Sequence, residues 1–162
     1  MTVVFPIAHR KRIAWIDPES GEVVKKARYS PKTGSFNDAM RHLYSIRGFL
    51  GSERLEIKLL LMNMDEYRML DGWSRDRKKG SHRAERVPLE ICGECTIRSP
   101  EDLDVMIPAN LPHPFKAKDY TSRTRQTPRS AWYSLKLLCE LGLIEQVGKD
   151  GKAFLYDTVE RG

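Results

Sequence analysis

Apolar residues run together from Ile13 to Ile16 within Arg12–Asp17 (RIAWID), and apolar and polar residues mix in a second stretch, Glu22–Tyr29 (EVVKKARY). Both stretches are short and rich in β-branched or aromatic residues, the signature of strands. Pro18-Glu19-Ser20-Gly21 lies between them. Proline presets φ and glycine accepts positive φ, so the pair predicts a β-hairpin. After the loop Ser30–Gly34, the period changes. Phe36, Met40, Leu43 and Ile46 recur at three- and four-residue intervals, which predicts an amphipathic helix over 36–50 with Ser35 as its cap. Leu55–Met64 (LEIKLLLMNM) is the most apolar run and predicts a central strand.

The next segment loses its pattern. Residues 71–86 (DGWSRDRKKGSHRAER) are polar, basic and broken by glycine, and predict a long surface loop. Val87–Ile97 predicts a turn of helix and then a strand through Cys95-Thr96-Ile97. Ser99-Pro100-Glu101-Asp102 opens a short helix: serine caps it, proline takes its first position and acids fill its first turn. Pro108–Pro114 holds three prolines and marks a domain boundary. Beyond it, 115–124 predicts a short helix and 128–141 a longer one, capped by Thr127, started by Pro128 and stopped by Gly142. Leu143–Val147 and Ala153–Asp157 then form a hairpin around Gly148–Lys152.

The expected fold is therefore α+β. A mixed α/β unit of hairpin, helix and strand occupies 1–107, and a helical and hairpin domain occupies 108–162.

Charge sharpens this picture. The chain of 162 residues carries a net +6, with a pI near 9.3. The charge is blocked: 68–86 holds seven Lys/Arg against three Asp/Glu, whereas 87–112 holds one against five. Such a balance permits nucleic acid as a partner. No apolar run approaches the ~20 residues of a membrane span. The start of the chain has its basic cluster after its apolar stretch, the reverse of a secretory leader. A cytoplasmic protein without a membrane partner is expected. The three cysteines suit a reducing compartment.

The outer face of the 128–141 helix shows Arg129, Trp132, Tyr133 and Lys136, opposite a core face of Ala131, Leu135, Leu138 and Leu141. Basic and aromatic residues interleaved in this way can meet phosphates, base edges and sugars. They can equally pack on the N-terminal unit or on a homodimer partner. Pro128–Gly142 with the run LCELGLIEQVGKDGKAFLY resembles the winged helix-turn-helix family over about the last 45 residues. The resemblance implies that the second helix of the motif enters the major groove and the hairpin touches the backbone. By position, Arg129, Trp132, Tyr133 and Lys136 would face DNA, Lys149 and Lys152 would sit on the hairpin, and Ser122, Arg123 and Arg125 would lie near phosphates. Arg75, Arg77, Lys78 and Lys79, just after Trp73, would be a phosphate-gripping arm or a solvated loop. The expected function is DNA binding, as a bacterial transcriptional regulator or an accessory to DNA processing. A winged helix that binds only protein is the alternative of the same fold.

A second alternative is an enzyme. Glu56-Ile57-Lys58 spells the Glu-x-Lys of restriction-endonuclease-like cores, with Asp17 as the further carboxylate for a divalent metal. Here a predicted helix separates Asp17 from Glu56, whereas that family keeps the two strands adjacent. Cys92-Gly-Glu-Cys95 has the spacing of a zinc or redox pair, but no second pair completes four ligands. Phosphate-loop, dinucleotide, nucleophile-elbow and zinc-protease motifs are missing from the sequence, so no cofactor is expected. The whole chain also resembles, loosely, small bacterial proteins of unknown function. They share the turn at Ile16–Glu22, the segment Glu66–Ser81 and a C-terminal winged helix.

Overall fold

A computed structural model describes residues 1–72 and 80–159. Its strands are β1 (Thr2–Ile16), β2 (Val23–Tyr29), β3 (Glu56–Met69), β4 (His82–Ile97), β5 (Phe115–Lys116), β6 (Ile144–Asp150) and β7 (Ala153–Thr158). Its helices are α1 (Met40–Ser45), α2 (Ala117–Thr124) and α3 (Pro128–Glu140), with 3-10 turns at Phe36–Ala39, Arg47–Phe49 and Pro100–Met106. The described residues are mixed α+β, and no described helix is long and apolar enough to cross a membrane.

One sheet has the order β2-β1-β3-β4. β1 and β2 are antiparallel, with Arg12 opposite Tyr29 and Ile16 opposite Val23. Their turn is locally built. Asp17 accepts from the backbone N–H groups of Glu19 (2.8 Å) and Ser20 (3.0 Å), and Gly21 takes φ +71°. β1 and β3 run parallel, because the Met1 carbonyl accepts from Glu56 N–H (2.9 Å) and the Ile16 carbonyl from Leu70 N–H (3.0 Å). A parallel pair needs a long crossover, which β2 and α1 lie within.

Two expectations differ here. Residues 82–86, expected in a loop, begin β4, which pairs with the strand before it, β3. β4 is an edge strand, so its polar residues and Pro88 cost it little. The helix expected over 36–50 is broken into 3-10, α and 3-10 pieces. The chain leaves the helical region at Ile46 (φ −112°, ψ 15°), just before Gly48, a weak helix former.

The chain separates into two compact units. The first comprises 1–5, 35–59 and 95–162. These limits differ from a division between 107 and 108. α1 packs on α3, and the buried Tyr120 hydroxyl shares its proton between the Met106 carbonyl (3.0 Å) and Asn37 Oδ1 (3.1 Å). The core of this unit is Met40, Leu43, Leu103, Met106, Phe115, Leu137, Leu138 and Ile144. α3 is held at its start by Thr127, whose hydroxyl accepts from Ser130 N–H at 3.2 Å. It ends at Gly142, φ +71°. After it, β6 and β7 pair with Asp150 opposite Ala153, so Gly148–Asp150 belong to the ladder and the turn shrinks to Gly151-Lys152. Gly151 has φ +61°, which suits the first central position of such a turn. β5 adds to the far side of β7, giving the order β5-β7-β6.

The second unit comprises 6–34 and 60–94. Its apolar core is small: Ile7, Ala14, Trp15 and Met64. Two carboxylates, Asp65 and Glu66, are buried beside it.

Candidate nucleic-acid interface

Thr127 and Pro128 set the first turn of α3, and that turn presents Arg129 to solvent. Arg125, just before it, is also exposed and takes φ +54°. Trp132 is 54% exposed, one turn further along. Lys136 is exposed and shares the carboxylate of Glu140, at 3.7 Å, with Arg47 at 2.6 Å. On the hairpin, Lys149 sits 4.9 Å from the Phe154 ring centroid, and Lys152 is exposed at the turn.

A groove of about 850 Å³ lies between α3 and the hairpin. Among the described residues, its lining includes Trp132, Leu135, Phe154 and Tyr156, with Lys116, Lys118, Lys136 and Lys152 against one acid, Glu145. Lys116 pairs with Asp150, and this pairing holds the Asp150 carboxyl below its usual range. Burial pushes the Cys139 thiol up, so the cysteine in the groove wall stays protonated and apolar in character.

Not all expected DNA-facing side chains are free to serve. Tyr133 is half-buried, with its ring 5.4 Å from that of Tyr44 and the Arg41 guanidinium 5.6 Å from its centroid. α1 covers this side of α3, so Tyr133 is a packing residue of the first unit rather than part of an open face. Arg123 donates through Nε to the Asn110 carbonyl at 2.7 Å and through Nη1 to the Asp119 carbonyl at 3.3 Å, tying α2 to the preceding loop. Arg75, Arg77, Lys78 and Lys79 lie outside the described residues.

The enzyme candidates are each engaged locally. Asp17 is occupied by its own turn, and Glu56 accepts from Arg98 Nε at 2.7 Å. Both carboxyls are lowered, Asp17 chiefly by the backbone of Ser20 and Glu56 chiefly by Arg98. Asp17 belongs to the second unit, and Glu56 and Lys58 to the first. Cys92 and Cys95 stand three apart on β4, so their side chains leave opposite faces of the strand. The Cys92 thiol donates to the Leu61 carbonyl at 3.3 Å. Among the described residues, no group of three His, Cys, Asp or Glu side chains could hold a metal.

Sequence reasoning missed one charged cluster. Glu66 accepts from Lys11 Nζ (3.1 Å), Arg68 Nη1 (3.2 Å) and Arg86 Nε (2.9 Å), while Arg12 grips Asp65 with two bonds of 2.9 and 2.6 Å. Burial pushes the Glu66 carboxyl up, but Arg86 and Lys11 outweigh it, and its pKa lies below the ordinary glutamate value. The available signal was the pair Asp65-Glu66 following directly on the apolar run of β3.

Comparison with known proteins adds three findings. The model of a family described as "Domain of unknown function (DUF8091)" matches residues 1–98. A protein of Treponema pallidum (strain Nichols), described as "Uncharacterized protein", is 25% identical over 154 residues. That alignment covers 95% of this chain, and the chain spans about 60% of the relative's length. No solved structure matches the chain.

Proposed function

The chain belongs to that family, described as a domain of unknown function, and from this premise we propose that its C-terminal helices and hairpin are a winged helix that binds duplex DNA. The observation that carries the reading is the order of elements: β5, α2, α3, β6, β7, with β5 and β6 on either side of β7. This order sets a hairpin beside a 13-residue helix whose first turn carries the exposed Arg129. An α-helix fits the major groove of B-DNA, and a neighbouring hairpin reaches the backbone.

In this reading Arg129 enters the groove and Arg125 meets phosphate at the entrance to α3. Lys149 and Lys152 grip the backbone from the hairpin. Tyr133 and Arg123 hold the helices in place without touching DNA. The role is that of a transcriptional regulator or of an accessory to DNA processing.

Fluorescence anisotropy with a labelled random duplex of about 20 base pairs, titrated at several salt concentrations, tests this. A linear fall of log affinity with log salt supports it, because phosphate contacts release counterions. Binding that is absent at low salt, or unchanged in Arg125→Ala/Arg129→Ala, overturns it.

A further inference from the structure

The groove between α3 and the hairpin has features that paired DNA does not use. Trp132 and Phe154 line it and remain 54% and 42% exposed. Leaving two large aromatic side chains in water forgoes a sizeable burial gain, and both sit in one groove. Trp132 is also held in orientation. Its ring meets Tyr44 at 5.9 Å and Tyr133 at 5.1 Å, with interplanar angles of 64° and 81°. A side chain fixed in this way loses little rotamer entropy when a ligand stacks on it.

The charge of the groove selects the ligand's sign. Lys118 and Lys152 lie on its lining and form no salt bridge among the described residues. Among the described residues, Glu145 is the only acid on the lining. The volume of about 850 Å³ lies within the range of small-ligand sites. An occupant must therefore be anionic and carry an aromatic face. A paired base offers no free face to a side chain, because its neighbours in the stack cover it. An unpaired base does.

We propose that this groove binds a single-stranded DNA segment, with Trp132 stacking on an unpaired base and Lys118 and Lys152 contacting its phosphates. Phe154 forms the opposite apolar wall, and Lys149 over its ring extends the cationic rim. Aromatic platforms within a basic groove bind single strands largely without regard to sequence. The proposal rests on the reading of α3 and the hairpin as a nucleic-acid face. It adds that this face takes DNA with a locally opened strand.

The test is anisotropy of the full chain with four labelled probes: a 12-mer of deoxythymidine, an abasic 12-mer with the same phosphates, a 12-mer of uridine, and an acidic dodecapeptide of alternating glutamate and leucine. Wild type, Trp132→Ala, Trp132→Phe and Phe154→Ala are compared. The thymidine probe should bind about tenfold more tightly than the abasic one, as one or two stacked bases provide. Trp132→Ala should lose about that factor, while Trp132→Phe retains most of it. Phe154→Ala should lose less than Trp132→Ala.

Equal affinity for thymidine and abasic probes overturns the proposal, as does an unaffected Trp132→Ala. Tighter binding of the uridine probe makes the ligand RNA, and tighter binding of the peptide makes the groove a protein site; either result also overturns it. The two readings fail separately. Loss of duplex binding with stacking-dependent binding of the thymidine probe intact sinks the duplex reading alone. Duplex binding that responds to Arg125 and Arg129, together with equal thymidine and abasic affinities, sinks the groove proposal alone.

Discussion

The hydroxyl of Tyr120 lies 3.1 Å from Oδ1 of Asn37, a residue 83 positions earlier, and the phenol ring is fully buried. The same hydroxyl reaches the Met106 carbonyl at 3.0 Å. Burial raises the Tyr120 pKa well above that of an ordinary tyrosine, so the hydroxyl stays protonated and donates at neutral pH. The contact gathers three separate stretches of chain into one unit.

Tyr120→Phe should keep the ring packing and strip both acceptors of their donor. A buried polar group left unsatisfied costs about 1–3 kcal/mol. Urea denaturation should show a midpoint lowered by that loss divided by the slope, with the slope itself unchanged. An unchanged midpoint would mean that Asn37 and Met106 find other donors.

Glu66 offers a test in the second unit. Its side chain is 3% exposed, with three cations on its carboxylate. Glu66→Gln removes the charge that Lys11 and Arg86 pair with and should destabilise the protein by about 3 kcal/mol, as breaking a buried pair does. Thermal melts at neutral pH read this directly, and a loss below 1 kcal/mol would show that the cations are solvated.

The same cluster sets a pH dependence. The Glu66 and Asp65 carboxyls are both lowered in the folded protein, Asp65 chiefly by its bond from Arg12. A group with a depressed folded pKa contributes stability above its unfolded value, and loses it as pH falls through the folded one. Stability should therefore be flat near neutrality and decline below the ordinary carboxyl range of about 4. The decline should be shallower in Glu66→Gln. Parallel acid profiles for the two proteins would remove Glu66 as a cause.

Gly142 isolates a backbone effect. It ends α3 at φ +71°, and an added Cβ would meet no atom within 4 Å. Gly142→Ala should thus cost only the left-handed strain of an L-residue, about 1–2 kcal/mol. A larger loss, measured by denaturation, would mean that the β6 start shifts as well.

DNA affinity supplies the fourth kind of measurement. With Arg125 on a phosphate, Arg125→Ala should lower the slope of log affinity against log salt by about one. Tyr133→Phe keeps the packed ring and should leave that slope unchanged. A slope change in Tyr133→Phe would return this residue to the DNA-facing set.

Much of the local structure was legible in the sequence because its causes lie within a few residues. Pro18 and Gly21 write the first turn, Thr127 and Pro128 start α3, and Gly142 stops it; each acts on its own backbone. The α+β class follows from the change of hydrophobic period. Tertiary structure alone decided the rest. The extent of β4 depends on a strand partner, since its own residues His82–Arg86 carry no alternation. Tyr133 looked like an outer-face residue until Tyr44 and Arg41, about ninety positions away, covered it. The burial of Glu66 needed cations from three places in the chain. Burial and pairing are relations between distant residues, and periodicity along one segment does not contain them.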